Sequence, residues 1–363
     1  MRTIVDNGNP AKAVIMRGLV VDAGRADSVR IVDDLPEPDP AEGDVLVAAL
    51  AVGVCGTDRE IVAGSYGTAP GPDGRLVLGH ESLGRVVSDD SGASAPGDLV
   101  ASIVRRPDPV PCLNCAVGEW DMCRNDQYVE CGIKGRHGFA RDRWRVESEF
   151  AVAIDPALAD CGVLVEPTSV VAKAWEHIER IGSRARWAPH TVLVTGAGPI
   201  GLLAALLGAQ RGLEVHVLDI VTDGPKPDLV RRLGATYHTE RAHELKLSPD
   251  IVLECTGVDS VIVDVLDVVG PGGVVCLTGV SSGGRALQFD VGYANREIVL
   301  ENNVVFGSVN ANMRHWRAAA DALARADRDW LAALITRQVP LAQFAEALHP
   351  DPKDVKVVLD LTA

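Results

Sequence analysis

The chain has 363 residues, with 35 basic against 50 acidic side chains and a formal charge of −15. That length suits about two domains with full cores, and 47% apolar with 23% charged residues excludes a disordered chain. The basic residues, 7 Lys and 28 Arg, form no basic stripe, which argues against binding a nucleic-acid backbone.

Residues 1–19 lack an apolar core followed by a small-residue cleavage site, so no secretion signal is expected. Eight cysteines in such a chain point to the reducing cytoplasm and to thiolate chemistry. The first 169 residues are rich in Gly, Pro and β-forming runs, at 44–53, 76–79, 84–87 and 98–104, with turn signals at 36–40 and 71–74. Within them, VGVCGTDRE (52–60) places Cys55 after a strand, and LGHES (78–82) supplies His80 and Glu81. A thiolate, an imidazole and a carboxylate suit Zn²⁺, and Glu166 in LVEPT (164–168) offers a further ligand. Taken singly, each of these residues is more simply a buried or structural side chain. Thr57, two positions past Cys55, reads either as a carrier of a substrate's hydroxyl proton or as a helix cap. Cys112, Cys115 and Cys123 have the spacing of a closed structural zinc site that lacks one ligand.

From about residue 170, strand-like runs at 191–195, 214–219, 250–254, 273–277 and 304–307 alternate with helical stretches, as in a parallel βαβ sheet. TVLVTGAGPIG (191–201) runs from a strand into Gly196-x-Gly198-x-x-Gly201 and then into a helix. The glycines give a tight turn, close approach to a pyrophosphate and helix–strand packing. Residues 192–209 are uncharged, but their glycines and Pro199 fit a strand, turn and helix rather than a membrane span. Asp219 ends the second strand, where a carboxylate accepts from ribose hydroxyls and repels a 2′-phosphate, so NAD is expected over NADP. Lys226, Arg231 and Arg232 are the cations through which that preference could fail. Helical segments at 316–325 and 330–336 then lead to a last strand, 356–361, which is expected to return to the first domain.

CGTDREI (55–61), VLGHESLG (77–84), VRRP (104–107), ECGIKGRHGF (130–139), LVEPT, the glycine turn and GSVN (307–310) together resemble the zinc-dependent medium-chain dehydrogenase/reductase superfamily, and within it the archaeal-type glucose 1-dehydrogenases. The resemblance implies an α/β chain with a GroES-like β-rich catalytic domain (1–169), a doubly wound Rossmann domain (170–308) and a return to the first (309–363). It implies a catalytic zinc on Cys55, His80 and Glu166, with Glu81 as an alternating ligand or sugar contact. Glu130 and Asn310 would bind sugar hydroxyls, together with Thr57, Glu81 and Glu166. Pro199, Ile200, Thr256, Thr278, Asn310 and Lys356 would join the three glycines and Asp219 at the cofactor. The activity implied is oxidation of an aldose at C1 to a lactone with NAD(P), in a homo-oligomer, dimer or tetramer. Three departures stand out. Pro109 occupies the place of the lobe's first Cys, leaving Asp108 to substitute or the site empty; Cys131 belongs to the sugar segment instead. Arginines that NADP-using members carry after Asp219 are missing, and Val170 and Leu300 stand where polar sugar contacts are expected. The alternatives are a dehydrogenase of a polyol, cyclitol or sugar-like intermediate, a metal-free alkene reductase, and a non-catalytic binding protein.

Overall fold

The structure, a computed structural model, describes residues 15–281 and 286–363. Residues 1–14, part of the segment read for a secretion signal, lie outside the described residues.

Val45–Val54, ten residues of Val, Ala, Leu and Gly, forms the spine of a seven-stranded sheet. Glu81–Asp89 runs antiparallel along one edge. Two strands share the other edge end to end: Arg143–Val146 pairs with residues 45–48, and the last strand, Lys356–Asp360, pairs with 51–54. Leu99–Ser102 and Ala151–Ile154 extend the sheet on the Glu81–Asp89 side, and Ile335–Pro340 on the other. The chain's end is therefore built into the sheet that its first third begins. Inside this layer Trp144 is fully buried, and its indole N–H is satisfied by Ser102 Oγ at 2.9 Å.

A second sheet has six strands, all parallel. Its order across the sheet is Thr236–His238, Glu214–Leu218, Thr191–Thr195, Ile251–Glu254, Val274–Leu277 and Val304–Gly307. Chain order reverses between the third and fourth of these, the topological switch point at which doubly wound sheets bind ligands. Register aligns the carboxyl ends: Leu218, Thr195, Glu254, Leu277 and Gly307 stand in one row across the sheet. Every loop that leaves this row begins at the same level. Helix Val165–Gly182 packs between the two layers, with Val171, Ala174, Trp175 and Ile178 buried in the core that joins them.

Several sequence expectations shift, most by one or two residues. The helical reading of 330–336 holds only to Leu334, because Ile335 and Thr336 open the strand Ile335–Pro340. That strand pairs in parallel with Lys356–Asp360, and sheet pairing prevails over local helical pattern for β-branched residues. The pattern change near 170 falls within helix Val165–Gly182. The strand expected over 98–104 ends at Ser102.

Gly201 is the tightest point of the glycine turn. A Cβ there would lie 1.7 Å from the carbonyl oxygen of Gly196, itself at φ +88°. Gly201→Ala is expected to cost about 1–3 kcal/mol in urea unfolding, as overpacking does, and to abolish NAD binding in calorimetry. Unchanged binding would show that the turn tolerates reshaping.

Candidate active site

Cys55 sits at the end of the sheet's spine, where helix Gly56–Val62 begins. The Asp58 carboxylate accepts from the Cys55 backbone N–H at 2.9 Å and so closes the first turn. His80 immediately precedes strand Glu81–Asp89, whose antiparallel register sets Glu81 opposite Gly53. A Cβ on residue 53 would come within 2.0 Å of Glu81 Oε2, so only glycine leaves room for that carboxylate. Donor atoms of Cys55, His80 and Glu81 all lie within 4.8 Å of one another.

His80 and Glu81 are almost wholly buried, and Cys55 is half-buried. Asp58 Oδ1 stands 3.4 Å from His80 Nδ1. Burial alone would push the His80 imidazole down, but the Asp58 carboxylate prevails and holds it well above its ordinary value. Asp58 is correspondingly held low, against its own burial, by His80. Lys356, also fully buried, pairs with Glu81 and donates to the Val54 carbonyl at 3.1 Å. Lys356, expected among the cofactor contacts, lines the cavity with its ammonium on the Glu81 carboxylate.

Glu166, in the first turn of helix Val165–Gly182, lines the same cavity but stands outside the compact three-donor group. Enclosure, and after it the Glu81 carboxylate, pushes its carboxyl up to about 7. Thiolate, imidazole and two carboxylates around one cavity make a donor set that fits a zinc ion. The cavity measures about 570 Å³ and also admits Thr57, Glu130 and Asn310. Glu130 is buried and takes Arg105 at 3.1 and 3.0 Å on Oε1, the oxygen that also accepts from Asn310 Nδ2 at 2.7 Å. Asn310 is held at φ +61°. Val170 lies on the cavity wall, whereas Leu300 is exposed and lines none of it.

Apart from Lys356, the expected cofactor residues follow the aligned strand ends of the parallel sheet. Gly196, Gly198 and Gly201 follow Thr195, and Pro199 and Ile200 reach the cavity as helix Pro199–Gln210 begins. Asp219 follows Leu218. Its carboxylate accepts from Ala197 N–H at 2.7 Å and Val221 N–H at 3.0 Å, tying the glycine turn to the neighbouring strand. Lys226 Nζ stands 3.5 Å from it, while Arg231 pairs with Asp228 and Arg232 faces Asp327. Thr256 and Thr278 follow Glu254 and Leu277. Both hydroxyls bond to Glu254, the first to its carboxylate and the second to its carbonyl at 2.8 Å, and Thr278 also lines the cavity.

Cys112, Cys115 and Cys123 form a separate group, with donors within 4.8 Å and 3.7 Å between the first two sulfurs. Backbone N–H groups of Cys115 and Arg124 pull the Cys112 thiol down to about 6, and burial pushes Cys115 up to about 11. Asp108 is buried, and its Oδ2 has no hydrogen-bond partner. Sequence reading missed Asp58, Arg105, Asp121 and Lys173. The first two lay inside motifs already noted, CGTDRE and VRRP, but their partners are distant in the chain.

Residues 41–156 match the alcohol dehydrogenase GroES-like domain, and 159–361 match the glucose dehydrogenase C-terminus. A glucose 1-dehydrogenase of Methanocella arvoryzae is 36% identical over 96% of this chain and 100% of its own. One from Halobacterium salinarum is 40% identical over 92% of this chain and 97% of its own. The solved structure of Haloferax mediterranei glucose dehydrogenase in complex with NADP, Zn and gluconolactone superposes with a TM-score of 0.88 at 31% identity, covering 96% of this chain and 100% of that one.

The Glu81–Lys356 pair is testable by itself. Lys356→Met strands a buried carboxylate and is expected to cost the chelated chain about 3–5 kcal/mol in urea unfolding. Adding Glu81→Gln should recover most of that loss. A single variant as stable as the parent would show that the pair holds nothing together.

Proposed function

The chain belongs to the glucose 1-dehydrogenase family of the zinc-dependent medium-chain dehydrogenases, and on that premise we propose that it oxidises an aldose of the glucose type at C1, passing hydride to a nicotinamide dinucleotide and releasing a lactone. One observation carries the reading: a single cavity is lined by the Cys55–His80–Glu81–Glu166 donors, by the Glu130–Asn310 pair and by Pro199, Ile200 and Thr278 from the strand-end loops. Donors for an ion, groups for hydroxyls and the edge of a dinucleotide site open onto the same space. In this reading residues 1–169 and 309–363 supply the GroES-like catalytic domain and 170–308 the Rossmann domain.

Cys55, His80 and Glu166 would hold the zinc, with Glu81 exchanging for one of them or taking a sugar hydroxyl. When bound, zinc favours loss of the anomeric hydroxyl's proton. Thr57 receives that hydroxyl's hydrogen bond and passes the proton outward. Glu130 and Asn310 grip other hydroxyls of the ring, and a site built to pair hydroxyls discriminates against an analogue lacking one. A bound nicotinamide would accept the hydride from C1, and Thr256, Thr278 and Asn310 are the residues that would hold it. Cys112, Cys115 and Cys123, with Asp108 in place of a fourth cysteine, would hold a second, structural zinc.

The cofactor preference we read is NAD over NADP. The Asp219 carboxylate at the end of its strand supports it, since a 2′-phosphate there meets like charge. Lys226 beside Asp219 is the residue that would soften the preference. The cytoplasm is supported by eight cysteines that are all free thiols. Among the described residues no helix is long and apolar enough to cross a membrane. Assembly into a dimer or tetramer is supported by the edge strand Val304–Gly307, beside which Val291, Tyr293, Val299 and Leu300 are exposed.

Steady-state assays with glucose, galactose, xylose and a polyol, with NAD and with NADP, before and after chelation, test the activity. We expect aldose turnover with NAD that chelation and Cys55→Ala abolish. Turnover of the polyol alone would move the substrate to the rival class, and activity surviving chelation would remove the metal from the reaction. Elemental analysis is expected to give two zinc ions per chain and one in Cys115→Ser. A single zinc in the parent chain would empty the cysteine lobe.

A further inference from the structure

Lys173 lies in the middle of helix Val165–Gly182 with a relative exposure of 1%, outside the lining of the active-site cavity. An ammonium so placed is tolerated only with compensating partners, and it has two. Asp121 Oδ2 is 2.7 Å away, and the carbonyl oxygen of Val309 accepts from Nζ at 2.9 Å. Val309 immediately precedes Asn310, which adopts the left-handed conformation that costs a side-chain-bearing residue energy unless its surroundings impose it. On the far side of Asn310, the Asn312 side chain donates to Asp121 Oδ1 at 2.8 Å. The segment bearing Asn310 is therefore pinned on both flanks to one carboxylate, before it through Lys173 and after it directly.

The same Asp121 reaches the other half of the hydroxyl-binding pair. Its backbone carbonyl accepts from Arg105 Nη1 at 3.3 Å, and Arg105 holds Glu130. Glu130 and Asn310 come from segments 180 residues apart, yet they meet at 2.7 Å on a frame centred on one buried residue. Asn310 Oδ1 accepts from the Ala311 N–H at 2.7 Å, so its amide has a fixed orientation when it presents Nδ2 to Glu130.

We propose that Lys173, paired with Asp121, is a positioning residue for substrate recognition: it fixes the Val309 carbonyl, so imposing the left-handed Asn310 and its contact with Glu130, and thereby sets which hydroxyl pattern the cavity accepts. The proposal rests on the aldose reading for its kinetic consequence but not for its structural one. Lys173 touches neither substrate nor cofactor in this assignment. Its effect falls on affinity and selectivity more than on the hydride step.

The test uses Lys173→Met and, because that variant leaves Asp121 buried and unpaired, the charge-balanced double variant Lys173→Met/Asp121→Asn. Crystal structures of both are expected to show Asn310 out of the left-handed region and its contact with Glu130 broken. With the aldose that the parent enzyme oxidises, KM should rise about 10-fold or more while kcat falls much less. The kcat/KM ratio between that aldose and its singly deoxygenated analogues should collapse toward unity, as expected when paired hydroxyl contacts are lost. In an Asn310→Ala background, Lys173→Met should raise KM no further. A lower melting temperature with Asn310, its Glu130 contact and the analogue ratio unchanged would overturn the proposal, leaving Lys173 a purely structural ion-pair partner, as would an additive KM rise in the Asn310→Ala background. If the parent chain oxidises no aldose, the functional reading fails on that result, and the conformation of Asn310 in the variants still decides the role of Lys173.

Discussion

Glu81 is a carboxylate in a place almost without water, and its tolerance there depends on Lys356. Desolvating either ion alone costs several kcal/mol, and their mutual attraction offsets that only at close range. The ammonium arrives from the first residue of the last strand, whose pairing with Val45–Val54 brings it beside Cys55. Burial pulls the Lys356 ammonium down, and Glu81 more than reverses this. Charge balance at the donor group thus depends on the final strand. Catalytic-layer topology and site chemistry rest on the same ion pair.

The second layer contributes by alignment. The six strand ends share one level, so their loops open together, and the glycine turn, Asp219, Thr256, Thr278 and Asn310 all lie on them. Three of these loops are tied to one another beneath any ligand. Asp219 grips the N–H of Ala197, and Glu254, fully buried, gathers hydroxyl and amide donors from Thr195, Thr256 and Gly257. A buried carboxylate with that many donors is well satisfied without a cation, and it stiffens the edge from below. The site is therefore formed between two rigid rims rather than within either layer.

What the sequence disclosed, and what it withheld, follows from the range of the forces involved. Strands Thr191–Thr195 and Val304–Gly307 were legible to the residue, because a continuous apolar run bounded by glycine or a turn is a local signal. Cys55, His80 and Glu81 were legible as chemistry, since few other reasons place such residues beside a nucleotide fold. Thr236–His238 has only three residues and no alternation, so it became a strand through its neighbour. Ile335–Pro340 was read partly as helix because its partner lies beyond the local window. The residues that orient the site, Asp58 at His80, Arg105 at Glu130 and Lys173 at Val309, do so across 22, 25 and 136 positions of chain. No local periodicity encodes contacts at such separations.

Helix Val165–Gly182 carries Glu166 near its start and Lys173 seven residues later. At 1.5 Å per residue these stand about 10 Å apart along the axis. One residue faces the donor-lined cavity, and the other holds the loop that presents Asn310. A helix of this length behaves as a stiff rod, so the two positions cannot shift independently. Any hinge that tilts one layer against the other would carry the carboxylate and the loop's anchor as a single lever. The spacing between the two functional ends of the cavity is then set by helical geometry.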